Sequence, residues 1–234
     1  IDTITIMEDA ECNFFVSKAL LDTSNKLTLN ARKSVLYNGV GPSFIKYEVG
    51  KRDALHEYFS IKGKKVVCFA GNIIDVKNPY VLPKVFNEVK EKYKGDITFW
   101  IIGDGKLRST IEREFSDLQI DCKFWGNIPA DKMVDYLNCV DVLILPSKNE
   151  GLPLIIVEAL KCGANVVGSH VGGIAEVVGA DNVFELDKTF VSNISQRIVK
   201  MLNCNIKQEL PISFSWERTA EIEYKIYNKI MSRI

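Results

Sequence analysis

Two glutamates, Glu150 and Glu158, frame the segment of this sequence that is best suited to hold a ligand. Glu150 stands in a loop after an apolar run, and Glu158 lies about one turn into the helix that is predicted to start at Leu154. That helix is apolar nearly all round near Glu158, so an unpaired carboxylate would be costly there. Helix N-terminal amides can take a phosphate, and the flanking carboxylates can accept hydroxyl protons. This pattern suits a phosphorylated polyol.

A purely structural interpretation of the same two residues is also open. Glu150 can be an ordinary loop residue, and Glu158 can pair with Lys161 on the next part of the helix. Spacing alone does not decide between the two interpretations.

The elements that must position these glutamates are predicted from alternating strand and helix patterns. Strands are predicted at Lys65–Phe69, Ile97–Ile102, Cys122–Trp125, Val142–Leu145, Asn165–Val167 and Val183–Phe184. Amphipathic helices are predicted at Tyr80–Lys94, Leu107–Phe115, Asp131–Leu137, Leu154–Cys162 and Ile174–Val178. Strands that are apolar without alternation are typical of a parallel sheet covered on both faces. The pattern therefore predicts a doubly wound, Rossmann-like α/β domain.

In such a sheet, ligands lie beyond the carboxyl ends of the strands. The chemistry is therefore expected in the loops 70–78, 103–106, 126–130, 146–153 and 168–173. Asn78-Pro79 is interpreted as an N-cap with a first-turn proline, and Gly163 as a helix stop.

The two ends of the chain do not follow this pattern. Residues 1–37 contain a strand-like run, Asn13–Val16, then a short helix and a link into Ser34–Tyr37. At the other end, Ser215 is predicted to cap the helix Trp216–Met231. The apolar stripe of that helix is predicted to serve core or interdomain packing, and it consists of Ala220, Tyr224, Tyr227 and Met231.

Composition excludes several classes of function. Thirty basic and thirty acidic residues cancel, so no long-range field favours nucleic acid or an anionic membrane. No apolar run is long enough for a membrane span, and the N-terminus does not resemble a signal peptide. The six scattered cysteines fit free thiols in a reducing cytoplasm. His56 and His170 are interpreted as incidental rather than catalytic.

Other nucleotide motifs are incomplete. Gly103-Asp104-Gly105 lacks the third glycine and the downstream acid of a dinucleotide fingerprint, and Gly71–Lys77 lacks the G-K-[ST] of a P-loop. D-x-D, a spacing that lets two carboxylates share one metal ion, occurs nowhere, which disfavours a metal-dependent site.

Glu150–Glu158 resembles the E-x7-E motif of retaining glycosyltransferases of the GT-B fold, in the large family 4, or group 1. Further segments resemble that family's motifs in the same order. They are the loop from Phe69 to Lys77, Ile101–Arg108, Phe124–Ile128, Asp141–Ser147, Gly172–Val178 and Phe214–Glu217. The chain therefore resembles the C-terminal, donor-binding half of such an enzyme.

The resemblance implies roles for matching residues. Lys77 would contact the donor diphosphate, Glu150 the sugar hydroxyls near the reacting carbon, and Glu158 the ribose. Lys77 and Glu150 are the implied catalytic residues, with no metal and no cofactor besides the nucleoside diphosphate sugar. The implied donor-binding residues are Gly71, Asn72, Lys77, Gly103, Gly105, Asn127, Ile128, Glu150, Gly151, Leu152, Pro153, Leu154 and Glu158. Within this set, the amides of Gly151 to Leu154 would approach the diphosphate, and Asn127-Ile128 would lie against the base.

Two departures from the family stand out. Asn72 occupies the place of a usual arginine, which removes one cation from the diphosphate. Only residues 1–37 resemble the end of the separate N-terminal acceptor domain, through Phe15–Leu20 and Tyr37–Val40. We therefore expect three parts: 1–37 from the acceptor domain and linker, 38–212 as the nucleotide-sugar domain, and 213–234 as a crossing helix.

The first residue, Ile1 rather than Met, suggests excision from a longer protein. The resemblance implies a retaining hexosyltransferase that uses UDP in preference to GDP, located in the cytoplasm or peripherally at a membrane, with polysaccharide or glycolipid synthesis typical. The isolated chain is expected to be inactive without its acceptor domain. A binding module without transfer activity is the alternative. An epimerase or phosphorylase of the same fold is disfavoured by the glutamate spacing and by the lack of a suitably placed histidine or lysine.

Overall fold

The computed structural model describes residues 3–27 and 31–232. Its main sheet has six parallel strands in the order β5-β4-β3-β6-β7-β8. These strands are β3 (Lys65–Ala70), β4 (Ile97–Ile102), β5 (Cys122–Gly126), β6 (Val142–Leu145), β7 (Asn165–Ser169) and β8 (Val183–Phe184). A second, two-stranded parallel sheet pairs β1 (Asn13–Phe15) with β2 (Lys33–Val35).

Helices cover both faces of the main sheet. One face packs against α6 (Ala130–Cys139), α7 (Leu154–Lys161) and α8 (Ile174–Val178). The other packs against α4 (Leu82–Lys92), α5 (Arg108–Asp117) and α9 (Phe190–Asn203). The remaining helices are α1 (Thr3–Asp9), α2 (Lys18–Asn25), α3 (Val49–Tyr58) and α10 (Trp216–Met231).

Burial on both faces explains why the strands lack polar alternation. In β3, Val66 and Cys68 face one core while Val67 and Phe69 face the other, and all four are fully buried. Each such aliphatic or aromatic side chain stabilises the fold by about 1.5 to 3 kcal/mol. The predicted doubly wound sheet is confirmed.

The strand order places a topological switch between β3 and β6. The chain proceeds from β3 outward through β4 to β5, and it returns with β6 on the other side of β3. The helices that follow β3 and β6, α4 and α7, consequently lie on opposite faces of the sheet, and a switch point of this kind leaves a crevice at the carboxyl ends of the strands. Glu150 follows β6 and therefore lies at this crevice.

The helix predicted at 80–94 begins later than expected, because a 3-10 turn, Pro79–Val81, precedes α4. Asn78 is the N-cap residue of this 3-10 turn and Pro79 follows in its first turn, as predicted. The cap differs in kind from the expected one, because Asn78 has a φ of 52°, in the left-handed region, and its side chain makes no capping hydrogen bond among the described residues. Asn78 is buried and ends the preceding turn, Asp75–Lys77. Its amide donates a hydrogen bond to the Asp75 carbonyl at 3.0 Å.

Helix α10 packs by a different stripe from the predicted one. Ser215 caps it as expected, accepting from the Arg218 amide. However, Tyr224 and Tyr227 are 67% and 59% exposed, and the inward side carries Thr219 and, further along, Ile226. Among the described helices, none combines the length and the apolar character of a membrane span.

Local contacts determine which side of α10 faces the rest of the protein. Thr219 donates its hydroxyl to the Tyr37 carbonyl at 2.6 Å, and the Val40 amide donates to Phe214 at 3.2 Å. Gly39 lies so close to Trp216 that a Cβ would come within 2.3 Å of its amide nitrogen. Because these contacts hold the Thr219 side of α10 inward, the stripe with Tyr224 and Tyr227 remains exposed.

Candidate functional site

Three loops meet at the switch-point crevice and are joined by backbone hydrogen bonds. In the loop after β3, the Ile73 amide donates to Asp104 at 2.9 Å, and the Leu107 amide donates back to Ile73 at 3.1 Å. The Lys148 amide, in the loop after β6, donates to Val76 at 2.8 Å. The crevice therefore has a rigid floor made of backbone.

Lys77 and Glu150 form an ion pair at the centre of this crevice. The Lys77 Nζ lies 2.6 Å from Glu150 Oε1, and the side chains are only 22% and 10% exposed. A second pair, Lys148 with Asp75 at 3.2 Å, lies closer to solvent. The structure thus brings together the two residues that the sequence singled out as catalytic. The Lys77 ammonium can bind an anion in this crevice once the Glu150 carboxylate forms a hydrogen bond with another partner.

Glu158 lies on α7 and is half-buried. Burial raises the pKa of its carboxyl. No hydrogen bond or ion pair to that carboxyl occurs among residues 3–27 and 31–232, and Lys161 is exposed without contacting it. The Glu158–Lys161 pair of the structural interpretation therefore does not form. A half-buried carboxyl without a protein partner is suited to a ligand hydroxyl.

The start of α7 offers backbone donors beside these carboxylates. No side chain caps this N-terminus, so its first-turn amides are left without intrahelical partners. Gly151, Leu152 and Leu154 can donate here. Pro153, which the sequence analysis placed in the same amide run, carries no N–H, so this part of the expectation is wrong.

The loop after β7 fixes the backbone of Glu150. Gly172 has a φ of 52°, and a Cβ there would lie 2.0 Å from the Glu150 carbonyl oxygen. The Gly173 amide donates to the Gly151 carbonyl at 2.8 Å. Sequence reasoning noted Gly172-Gly173 as a motif but assigned it no role. Two adjacent glycines in a loop at the carboxyl edge were the available signal of close backbone approach.

Glu176 is a second residue whose role the sequence analysis missed. Its carboxylate accepts from the Lys18 and Ala19 amides, both at 3.0 Å, and from the Tyr37 hydroxyl at 2.7 Å. Burial, and then this hydrogen bond, raise the pKa of Tyr37. The carboxylate lies at the N-terminus of α2, where helix amides favour an anion. Glu176 therefore anchors the segment around α2 to α8, beside the crevice.

Replacing Glu176 with alanine should loosen α2 from the sheet domain. Loss of these hydrogen bonds is expected to cost about 1 to 2 kcal/mol locally. Hydrogen exchange of the Lys18 and Ala19 amides should then accelerate about tenfold. Glu223→Ala, at an exposed glutamate on α10, is the matched control. Unchanged exchange at both amides would show that Glu176 does not hold this helix.

The remaining predicted site residues lie in the loops after β3, β4 and β5. Gly103 and Gly105 lie against the loop after β3, where a Cβ would meet Gly71 O at 2.1 Å and Ile73 O at 2.5 Å respectively. Asn72 is exposed in that loop.

Asn127, also exposed, and half-buried Ile128 follow β5, which β4 separates from β3. Both residues lie at the carboxyl end of the sheet, as Lys77 and Glu150 do. Within the described part of the chain, no hydrogen bond or ion pair joins them to Lys77 or Glu150. Neighbouring strands lie about 4.8 Å apart, so β5 lies about 10 Å from β3, a separation that one extended ligand could span.

Comparison with known proteins places this arrangement in a family. Residues 51–214 match the family of glycosyl transferases group 1. An uncharacterized glycosyltransferase of Methanocaldococcus jannaschii is 24% identical over 212 residues, which cover 86% of this chain and 55% of that protein. The chain thus spans about half the length of this curated relative.

Solved structures share the fold at lower identity. Sucrose-phosphate synthase of Thermosynechococcus elongatus superposes with a TM-score of 0.82 at 17% identity, covering 99% of this chain and 61% of that one. HepE of Anabaena, solved in complex with UDP-glucose, gives a TM-score of 0.69 at 18% identity, with coverage of 98% and 66%.

Proposed function

Since the chain belongs to the family of glycosyl transferases group 1, we propose that its switch-point crevice holds a nucleoside diphosphate sugar. The sugar would be transferred to an acceptor with retention of configuration. The observation that carries this proposal is the pair of Lys77 and Glu150 at 2.6 Å. Beside it lie Glu158 and the N-terminus of α7, for which residues 3–27 and 31–232 supply neither a side-chain partner nor a side-chain cap. Together they offer one cation, free amides and two carboxylates, which match a diphosphate joined to two sugars.

The proposed roles follow from position. Lys77 and the α7 amides stabilise the diphosphate as the C1–O bond to it breaks. Glu150 holds hydroxyls of the transferred sugar, and Glu158 holds the ribose. The acceptor oxygen bonds to C1 on the face that the diphosphate leaves, and its proton passes to the departing phosphate. No metal or other cofactor takes part in this scheme.

The chain is proposed to supply only the donor side of the reaction. Acceptor binding and closure over the donor would come from an N-terminal domain, of which residues 1–37 are the proposed last part. Closure excludes water from such sites. We therefore propose negligible transfer by residues 1–234 alone.

Binding of nucleoside diphosphates provides the direct test. UDP is proposed as the preferred nucleotide and GDP as the second, with Asn127 and Ile128 against the base. Calorimetry should show binding of UDP or GDP that is unaffected by EDTA. Binding of neither at millimolar concentration, or its loss in EDTA, would overturn the metal-independent donor site.

A second candidate function is a nucleotide-sugar-binding module without transfer activity. Asn72 favours it, because an exposed asparagine occupies the loop position where related enzymes are expected to place a second cation. Asparagine donates hydrogen bonds to phosphate but supplies no charge.

Replacing Asn72 with arginine should therefore tighten binding. The planar guanidinium can contact phosphate oxygens in a bidentate manner. UDP affinity is expected to rise by about 1 to 2 kcal/mol and to become more sensitive to salt. Gln196→Arg, which adds the same charge on the exposed side of α9, is the control. An unchanged or lower affinity would mean that position 72 points away from the diphosphate.

A further inference from the structure

A polar cavity lies at the end of the sheet opposite to Glu150. Its volume is about 390 Å³. It lies where β3 and β6 begin, whereas the proposed donor crevice lies where they end. Its lining includes Arg52, His56, Lys64, Lys65, Asp141 and Lys207. These residues come from α3, the start of β3, the residue before β6 and the segment after α9.

Positive charge exceeds negative charge in this lining. Four cations face two carboxylates, of Asp53 and Asp141. Asp141 is already engaged, since it accepts from Lys65 Nζ and from the Val66 amide, both at 2.9 Å. Lys64 and Lys207 have no ion-pair partner in the part of the chain that the structure describes. The cavity therefore retains uncompensated cations.

Lys207 lies at the exposed rim of this cavity. Desolvation lowers the pKa of its ammonium, and of the charged neighbours Asp141 raises that pKa while Arg52, Lys65 and Lys46 lower it. Gathering cations in this way is unfavourable unless an anion lies among them.

His56 supplies an unused donor at the same place. Its Nε2 is buried and has no hydrogen-bond partner among the described residues. Burial, followed by the neighbouring Arg52 and Lys65, lowers the pKa of the imidazole, while Asp141 and Asp53 act in the opposite direction. A buried polar nitrogen without a partner is unusual in a folded protein. A phosphate oxygen that reached Nε2 would accept a hydrogen bond from it and would favour the protonated, charged ring.

We propose that this cavity is a binding site for a phosphate group, separate from the nucleotide crevice and independent of it. Among the described residues, Lys64 and Lys207 have no ion-pair partner and His56 Nε2 has no hydrogen-bond partner, and the three side chains come from three different segments. A tetrahedral dianion matches donors that converge from several directions. The group can belong to a soluble phosphate compound or to a phospholipid headgroup.

Histidine NMR tests the proposal directly, because His56 and His170 are the only histidines in the sequence. Inorganic phosphate is titrated against sodium chloride at equal ionic strength. The His56 ring signals should shift saturably, and the His56 pKa should rise. His170, which is exposed and bonded to Glu185 at 2.6 Å, should serve as the internal reference. Equal responses to chloride, or no response of His56, would overturn the site.

Variants complete the test. Lys207→Ala should weaken phosphate binding at His56 about tenfold, the usual effect of losing one charge-assisted hydrogen bond. Lys207→Arg should largely retain it, and Lys84→Ala should leave it unchanged. Lys64→Ala provides a second variant if Lys207→Ala alters the melting temperature. Full binding in both alanine variants would overturn the assignment.

Vesicles distinguish the two sources of phosphate. Sedimentation with phosphatidic acid vesicles but not with phosphatidylcholine vesicles, abolished by Lys207→Ala, would assign a lipid headgroup. Phosphate binding without sedimentation would assign a soluble phosphate compound.

Discussion

Replacing Lys77 with alanine is expected to weaken the binding of inorganic pyrophosphate and of UDP by about 1.5 to 3 kcal/mol. Two effects add in this variant. The diphosphate loses its cation, and Glu150, which is only 10% exposed, is left as an unpaired carboxylate facing the ligand. Both effects reduce anion affinity, so the cost should lie near the upper end of the range. Calorimetry with each ligand measures it.

The ion pair itself supplies a second arm of this experiment. Glu150→Gln removes the carboxylate that competes for Lys77, so pyrophosphate should bind as tightly as before or more tightly. In the double variant Lys77→Ala/Glu150→Gln, part of the affinity lost in Lys77→Ala should return, because the repulsive charge is gone. No recovery in the double variant would mean that Glu150 does not face the diphosphate.

Glu158 provides the contrast within the same site. Glu158→Ala should weaken UDP, which carries a ribose, and leave pyrophosphate nearly unchanged. Lys77→Ala should weaken both ligands. Equal losses for both ligands in both variants, together with lowered melting temperatures, would indicate that these residues act through folding rather than through contact.

The sequence predicted the central sheet well, and the reason is physical. Strands such as Val142–Leu145 are buried on both faces, which leaves a continuous apolar run that few other structures produce. The proximity of Lys77 and Glu150 was predictable for a related reason. Each lies in the loop after a central strand, so the topology alone brings the two residues to the same end of the sheet.

The sequence failed to predict features that depend on contacts between residues far apart in the chain, because such contacts override the local sequence pattern. Helix α9 was not predicted, although it buries Phe190, Ile194 and Ile198 against the sheet. Its polar positions, with several serines and asparagines, are weak helix formers, so tertiary packing provides most of its stability. Glu176 could not be assigned from the sequence either, since its partners lie 158, 157 and 139 residues away.

Replacing Gly103 with alanine is expected to destabilise the fold by more than about 3 kcal/mol, through steric conflict and backbone strain. Gly103 has a φ of 122°, and its Cβ would lie 2.1 Å from the Gly71 carbonyl oxygen. Neither the Gly71 nor the Gly103 backbone can shift easily to relieve this contact. The Gly71 amide is bonded to Ile102 at 2.9 Å, and the Gly103 amide is bonded to Gly126 at 2.7 Å.

Gly63 is the matched control for this substitution. Its φ is 77°, so alanine is strained there as well, but no atom lies within 4 Å of the added Cβ. Gly63→Ala should therefore cost only the strain of the left-handed backbone, about 1 to 2 kcal/mol. Urea denaturation of both variants gives, as their difference, the cost of the contact together with the additional backbone strain at Gly103, whose φ lies further from the left-handed α region.

The outcome also separates two roles for Gly103. The family resemblance places it among the donor-binding residues, whereas its buried contact with Gly71 gives it a packing role. If packing dominates, Gly103→Ala lowers the urea midpoint far more than Gly63→Ala does. UDP binding then falls because the loop before Lys77 has moved. A normal urea midpoint with lost UDP binding would instead make Gly103 a direct ligand contact, and the close approach to Gly71 would carry little energy.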